Sequence, residues 1–217
     1  MAEIQEITVS CPKCGFKQTR TLYKSVNAQT DSNVKDLIMN RDLFTFVCDD
    51  CDYKALLDYD FLYHDPEEKI MIYFLKDYDE KTDSLYRNTP KPAPDYKLRI
   101  VKSASDLIEK IKIFDMDMDD RVIELCKLFY KGNMAQTNPE FQTDHIYFDT
   151  DKEFINCVFV FMNKEGKPAV AGLDNDFYCQ VRKLYDEKIY AREKSGFEII
   201  DENWAQDIIK NKKAEDF

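Results

Sequence analysis

The sequence predicts an α+β fold, and three observations carry that expectation. Two C-x-x-C turns, Cys11 to Cys14 and Cys48 to Cys51, are each flanked by strand-type segments. From residue 103 onward, apolar residues recur at helical spacing in several stretches, separated by short strand-type runs. Between the two regimes lies a polar stretch ending in Pro90-Lys91-Pro92-Ala93-Pro94, which reads as a stiff extended linker. The expected architecture is an N-terminal zinc ribbon with a helical insert, residues 1–102, followed by a C-terminal α+β part, residues 103–217.

Composition bounds the function classes. At 217 residues and 44% hydrophobic, the chain can bury a sizeable core without cross-links, so a metal would shape only its N-terminal part. A net charge of −11 argues against non-specific binding to nucleic acid or to an anionic membrane, both of which need a basic surface. No basic region followed by an apolar run opens the chain, and no window approaches the ~18 apolar residues of a membrane span, so neither a signal peptide nor a span is expected. Of the 7 cysteines, those in the C-x-x-C turns suit metal ligation in a reducing cytoplasm better than disulfides.

In chain order, residues 4–9 and 16–26 are expected as strands entering and leaving the first turn. Asp31 or Ser32 would cap a short helix over residues 33–39, with Val34, Leu37 and Ile38 on one face. Residues 43–47 and 53–59 are the strands around the second turn, and residues 70–75 and 96–101 are further strands. Ser103 or Ser105 would cap a helix carrying Leu107, Ile108, Ile111 and Phe114, and Asp119 a helix over residues 121–130. A loop holding Gly132 and Pro139 should lead to strands near residues 146–148 and 154–162, with a hairpin turn at residues 163–167 and a short return strand at residues 168–171. A helix over residues 177–191 presents Phe177, Val181, Leu184, Tyr185 and Ile189, and a strand at residues 197–200 and a helix at residues 204–209 close the chain.

Four thiolates at this spacing match the ligand set of one tetrahedral zinc ion. Pro12 and Gly15 suit a knuckle, where backbone N–H groups face the sulfurs and the last residue takes positive φ. The second turn has Asp49 and Asp52 at those places; Asp tolerates the left-handed region less well than Gly. A redox C-x-x-C comes singly, at a helix N-terminus. Four sulfurs also leave zinc no open position, so Cys11, Cys14, Cys48 and Cys51 would form a structural site.

The CPKCG run at residues 11–15, with Ser25-Val26-Asn27, Leu37, residues 43–48, the second C-x-x-C and Leu62-Tyr63-His64-Asp65, resembles the CpXC domain family. The likeness spans residues 5–130, taking in the stretch from Asp119 to Leu125. It implies four cysteines on zinc in a bacterial or archaeal protein and no particular enzymatic activity.

The remaining motifs have weaker claims. His64 beside Asp65 has the makings of a general base with its orienting carboxylate, or of half a second metal site. The plainer reading is that Asp65-Pro66 starts a turn and His64 braces the exit strand. Asp115, Asp117, Asp119 and Asp120 hint at a calcium loop, but Asp120 and Cys126 stand where an EF-hand needs Gly and Glu, and capping of the following helix fits better. Cys126, Cys157 and Cys179 read as small core residues. Lys13, Lys17, Arg20 and Lys24, with Phe16 and Tyr23, form a basic arm suited either to a nucleic-acid contact or to a solvated face paired with the acidic second arm. The leading expectation is a non-enzymatic cytoplasmic module in which zinc holds a surface for a protein partner or small ligand. An enzyme using His64 and Asp65, or a nucleic-acid-binding ribbon, are the alternatives.

Overall fold

The β-branched and aromatic residues on either side of the first C-x-x-C form a long antiparallel hairpin, β1 (Glu3–Ser10) and β2 (Lys17–Asn27), closing at the Ser10–Lys17 pair. The architecture comes from a computed structural model that describes residues 2–79, 86, 88–150, 156–193 and 195–210. The fold is α+β, and the chain divides into two units, Met1–Ile108 with Ser195–Glu198 and Glu109–Lys194 with Ile199–Phe217.

In the N-terminal unit, α1 (Val34–Met39) and a 3₁₀ turn (Asp42–Phe44) follow the hairpin. The second knuckle sits between β3 (Thr45–Val47) and β4 (Lys54–Leu56), which pair only with each other among the described residues. Next come β5 (Phe61–Asp65), β6 (Ile70–Phe74) and β7 (Lys97–Val101), completing a five-stranded sheet ordered β1-β2-β5-β6-β7. The pairs β2–β5 and β6–β7 are parallel. The proline-rich stretch is therefore a crossover between two neighbouring parallel strands, as parallel pairing requires, and not an extended linker. Its C-terminal end turns, with the Tyr96 N–H donating to the Ala93 carbonyl at 3.0 Å. Residues 80–85 and 87 of that stretch lie outside the described residues.

Phe44 anchors this unit's core. It is wholly buried and meets Phe61 edge-on at 5.4 Å and Phe74 at 5.7 Å; burying a side chain of this size contributes about 1.5–3 kcal/mol. Placing it there takes Leu43 and Phe44 out of the expected strand and into the 3₁₀ turn, with Arg41 at φ 63° as its hinge. The cap of α1 also differs from expectation. Asn33 occupies it in the left-handed region without a side-chain bond. Asp31 instead accepts from the Asn27 and Ala2 N–H groups at 2.8 and 3.1 Å, and the Asn27 bond leads in holding its carboxyl low. Residues 197–200, expected as a last strand, make a single bridge from Glu198 to Arg99.

α2 (Ala104–Asp115) starts where Ser103 accepts from the Asp106 N–H at 3.1 Å, and the division between the units falls within it. The C-terminal unit holds α3 (Asp120–Thr137), a 3₁₀ turn (Pro139–Phe141), the antiparallel meander β8 (Thr143–Thr150), β9 (Cys157–Asn163) and β10 (Pro168–Gly172), then α4 (Asn175–Ala191) and α5 (Glu202–Lys210). Asp119, Asp174 and Asp201 cap the three helices through their side chains. α3 runs straight through Gly132, where the sequence predicts a loop. On α4 the buried stripe is Tyr178, Val181, Tyr185 and Ile189; Leu184, one position out of phase with it, is 58% exposed. Residues 154 and 155 of the expected second strand lie outside the described residues.

A buried ionic network lies between the last turns of α2 and the first turns of α3. Lys110 contacts Asp120 at 3.1 Å and Glu124 at 3.3 Å, and Lys127 contacts Glu109 at 2.5 Å and Glu124 at 3.0 Å. Burial pulls the Lys110 ammonium down, but Asp120 and Glu124 outweigh it and the net shift is upward, so the charge stays. Burial raises the Glu109 carboxyl, whose oxygen accepts from the Phe148 N–H.

Candidate metal centre

Each hairpin ends in a knuckle with the same backbone circuit. At the first, the Cys11 N–H donates to the Phe16 carbonyl at 2.8 Å, and the Cys11 carbonyl accepts from the Gly15 N–H at 2.9 Å. At the second, the Cys48 N–H donates to the Tyr53 carbonyl at 2.9 Å, and the Cys48 carbonyl accepts from the Asp52 N–H at 3.1 Å. Both circuits need a left-handed fifth residue: Gly15 has φ 76° and Asp52 φ 54°. The sequence departure at Asp52 is thus accommodated with the turn unchanged.

This geometry brings four sulfurs together. Cys11 and Cys51 Sγ are 3.7 Å apart, Cys14 and Cys48 Sγ 3.6 Å, and all four lie within 4.8 Å of one another. Sulfurs about 2.3 Å from a tetrahedral zinc would sit about 3.8 Å from each other. The four cysteines are therefore positioned to hold a metal ion. The first cysteine of each knuckle is buried, Cys11 at 2% and Cys48 at 0% exposure, while Cys14 is exposed and Cys51 intermediate. Phe46 completes this small core, with Val9, Tyr53, Ala55 and Leu57 packed against it.

The electrostatics suit a cation. Burial pushes the Cys11 thiol up, but donation from the Cys14 and Lys13 N–H groups outweighs it and holds the thiol at about 7. Cys14 receives the Phe16 N–H, yet burial and the neighbouring sulfurs push it up to about 12. Cys51 likewise receives the Tyr53 N–H and is raised on balance by burial and by Cys48 and Cys11. One thiolate is welcome there and further negative charge is resisted. A cation among the sulfurs removes that resistance.

Two side chains of β2 hold the hairpins in register. Gln18, buried, donates to the Val47 carbonyl at 2.9 Å and accepts from the Asp49 N–H at 3.0 Å. Arg20, on the same strand face, donates to the Val47 carbonyl and pairs with Asp49 at 2.6 Å, its guanidinium 5.9 Å from the Phe46 ring. The sequence pattern does not single out Gln18; its place two residues before Arg20, on the same strand face, is the signal for it. The basic arm is accordingly split. Strand alternation sends Lys17 to the face opposite Arg20, and Arg20 is engaged with Asp49.

His64 and Asp65 do not form a dyad. Alternation along β5 puts Asp65 on the buried face and His64 on the other. Asp65 accepts from the Tyr63 hydroxyl at 3.0 Å and from the Glu67 and Glu68 N–H groups at 3.2 and 3.3 Å, which is the turn-starting role. His64 Nε2 lies 3.1 Å from the Tyr96 hydroxyl, and burial lowers its pKa against the Asp65 charge. Among the acids after α2, Asp117 is left-handed and Asp119 caps α3. Of the three other cysteines only Cys126 is a core residue; Cys157 is half-buried and Cys179, off the buried stripe of α4, is exposed.

No helix among the described residues is long and apolar enough to cross a membrane. Comparison with curated proteins and with solved structures finds no match. The family model of the CpXC protein does match, over residues 9–127, which is more than half the chain and includes all four clustered cysteines; the chain belongs to the CpXC family.

Proposed function

We propose that Cys11, Cys14, Cys48 and Cys51 hold one zinc ion as a closed structural centre, and that the N-terminal unit is a non-enzymatic interaction module of the reducing cytoplasm. The observation that carries this reading is the convergence of the four sulfurs from two matching knuckles. Four thiolates select zinc or iron over hard cations. When bound, the ion supplies folding energy, about 10–16 kcal/mol for a structural zinc, and its filled shell leaves no position for a substrate water. The residues around it serve to hold the two hairpins. Gln18 and Arg20 bind across the arms, Gly15 and Asp52 shape the turns, and the backbone N–H groups of Lys13, Cys14, Phe16 and Tyr53 face sulfur. The surface so held is offered to a protein partner or small ligand.

The test is metal content by mass spectrometry on protein purified in reducing, chelator-free buffer. One zinc per chain and a colourless solution are expected. A stoichiometric iron content with visible thiolate-to-iron absorption would overturn the zinc assignment, and no metal at neutral pH would overturn the centre itself.

A further inference from the structure

We propose a second binding site, in the C-terminal unit and wholly outside the family-matched segment, for an organic cation with an apolar or aromatic body. A cleft of about 710 Å³ opens among α3, the β9–β10 face and the first turn of α4. That volume falls within the range of small-molecule sites. Its walls are aromatic: Phe129 and Tyr130 from α3, Phe161 from β9 and Phe177 from α4.

These rings are fixed in place before any ligand arrives. Phe177 meets Phe129 edge-on at 5.9 Å and Tyr130 at 5.6 Å. The Tyr130 hydroxyl donates to the Gly172 carbonyl at 2.9 Å and accepts from the Asp174 N–H at 3.3 Å. Such a wall offers aromatic surface to a cation and apolar contact to its body.

The charge lining the cleft has one sign. Asp174 and Asp176 reach it, and among the described residues no Lys or Arg lines it, although the chain holds 31 of them. Asp174 uses one oxygen to cap α4 and keeps the other. The N-terminal end of α4 taken alone favours an anion, but two carboxylates outweigh the roughly half charge of a helix end. Asn133 and Thr137, at the C-terminal end of α3, bring the negative end of that helix to the same cleft. A neutral aromatic would gain only the wall, and an anion would meet both acids. A cation with an apolar body uses every part of the lining.

The experiment titrates the full-length protein with benzyltrimethylammonium, benzyl alcohol and benzoate, following backbone and side-chain NMR shifts. The cation is expected to bind at least tenfold more tightly than the alcohol, with shifts at Phe129, Tyr130 and Phe177, and benzoate to leave them unmoved. The Asp174→Asn/Asp176→Asn variant, which keeps a helix-capping residue at 174, should erase the preference for the cation while the alcohol binds as before. Gln180→Lys, which adds an ammonium to the lining, should abolish cation binding and serves as the test should the double variant fold poorly. Equal affinity for all three probes, cation binding indifferent to these substitutions, or shifts confined to other surfaces would each overturn the proposal. None of these outcomes bears on metal content, so this site and the zinc reading stand or fall separately.

Discussion

The two knuckles perform one task with different residues. The first has Pro12 and Gly15, the second Asp49 and Asp52, yet both close the same pair of backbone bonds on a left-handed fifth residue. The difference lies in what surrounds each. The first knuckle caps a hairpin that continues into a five-stranded sheet, whereas the second caps a pair of three-residue strands that, among the described residues, pair only with each other. Asp49, where proline would be usual, provides the second with what its short hairpin lacks: a carboxylate for Arg20 and an N–H for Gln18. The weaker-looking knuckle is held by the stronger one's strand.

The largest expected effect comes from breaking both knuckles at once. Chelation, or Cys48→Ser, should release the metal and destabilise the N-terminal unit, removing several of the about 10–16 kcal/mol that a structural zinc supplies. Hydrogen exchange would show this as lost protection in β2 and β3 with α3 and α4 still protected. Cys14→Ser should release the metal equally but disturb the apo protein less, since Cys14 is exposed and Cys48 buried. Equal protection in metal-loaded and stripped protein would dissociate the metal from the fold.

Arg20→Ala is expected to cost about 1–2 kcal/mol in denaturant unfolding, because it removes bonds to the Val47 carbonyl and to a carboxylate. Asp49→Ala should cost less than about 1 kcal/mol, since Asp49 is 57% exposed and water screens the pair. If the aspartate proves the costlier of the two, the strand-to-knuckle brace works through charge and not through the carbonyl.

The turn residues should separate the knuckles by sign. Gly15→Ala places a Cβ at φ 76° with nothing within 4 Å to clash, so only conformational strain of about 1 kcal/mol is expected. Asp52→Gly relieves the same strain, partly offset by the added freedom of the unfolded chain, and should be neutral or stabilising by up to about 0.5 kcal/mol. A marked loss on Asp52→Gly would reveal a further role for that carboxylate.

The shallowest effect expected is the pH dependence of the metal-free protein. Cys11 is held near 7 when folded, below its usual 9.0, so its contribution is present above about pH 9 and is lost as pH falls through 7. Cys14 is raised to about 12, so its contribution is present below pH 9 and is lost as pH rises through 12, and Cys51 is displaced the same way. Metal-free stability should therefore peak near pH 9, and Cys11 should be the first of the four clustered thiols to ionise, seen as thiolate absorbance near neutrality. A flat profile, or no thiolate absorbance near neutrality, would show that the N–H groups around Cys11 do not favour its thiolate.

Local patterns were legible where local chemistry decides. The cysteine spacing marked all four clustered sulfurs, and the capping roles of Ser103 and Asp119 followed from a polar residue standing before an apolar stripe. What escaped depends on partners distant in sequence. Asp31 reads as a helix cap from its neighbours alone, because nothing local shows that the Asn27 and Ala2 N–H groups claim it. Lys110 and Lys127 sit on buried helix faces that a hydrophobicity pattern assigns to solvent, because their counter-charges arrive from the neighbouring helix. His64 and Asp65 look like a pair only until strand alternation sends them to opposite faces.

The sequence by itself determined the paired C-x-x-C turns and the α+β class, which rest on spacing and periodicity within a few turns of chain. It also determined the family, which rests on its likeness to the CpXC model over residues 9–127. Only the tertiary structure decided the rest. It turned the proline-rich stretch into a crossover between parallel neighbours, tied Arg20 to Asp49, and gathered aromatic rings and two carboxylates around one cleft. Those outcomes join residues far apart along the chain, and a side chain's partner there is set by which surfaces pack, which the periodicity of any one segment does not encode.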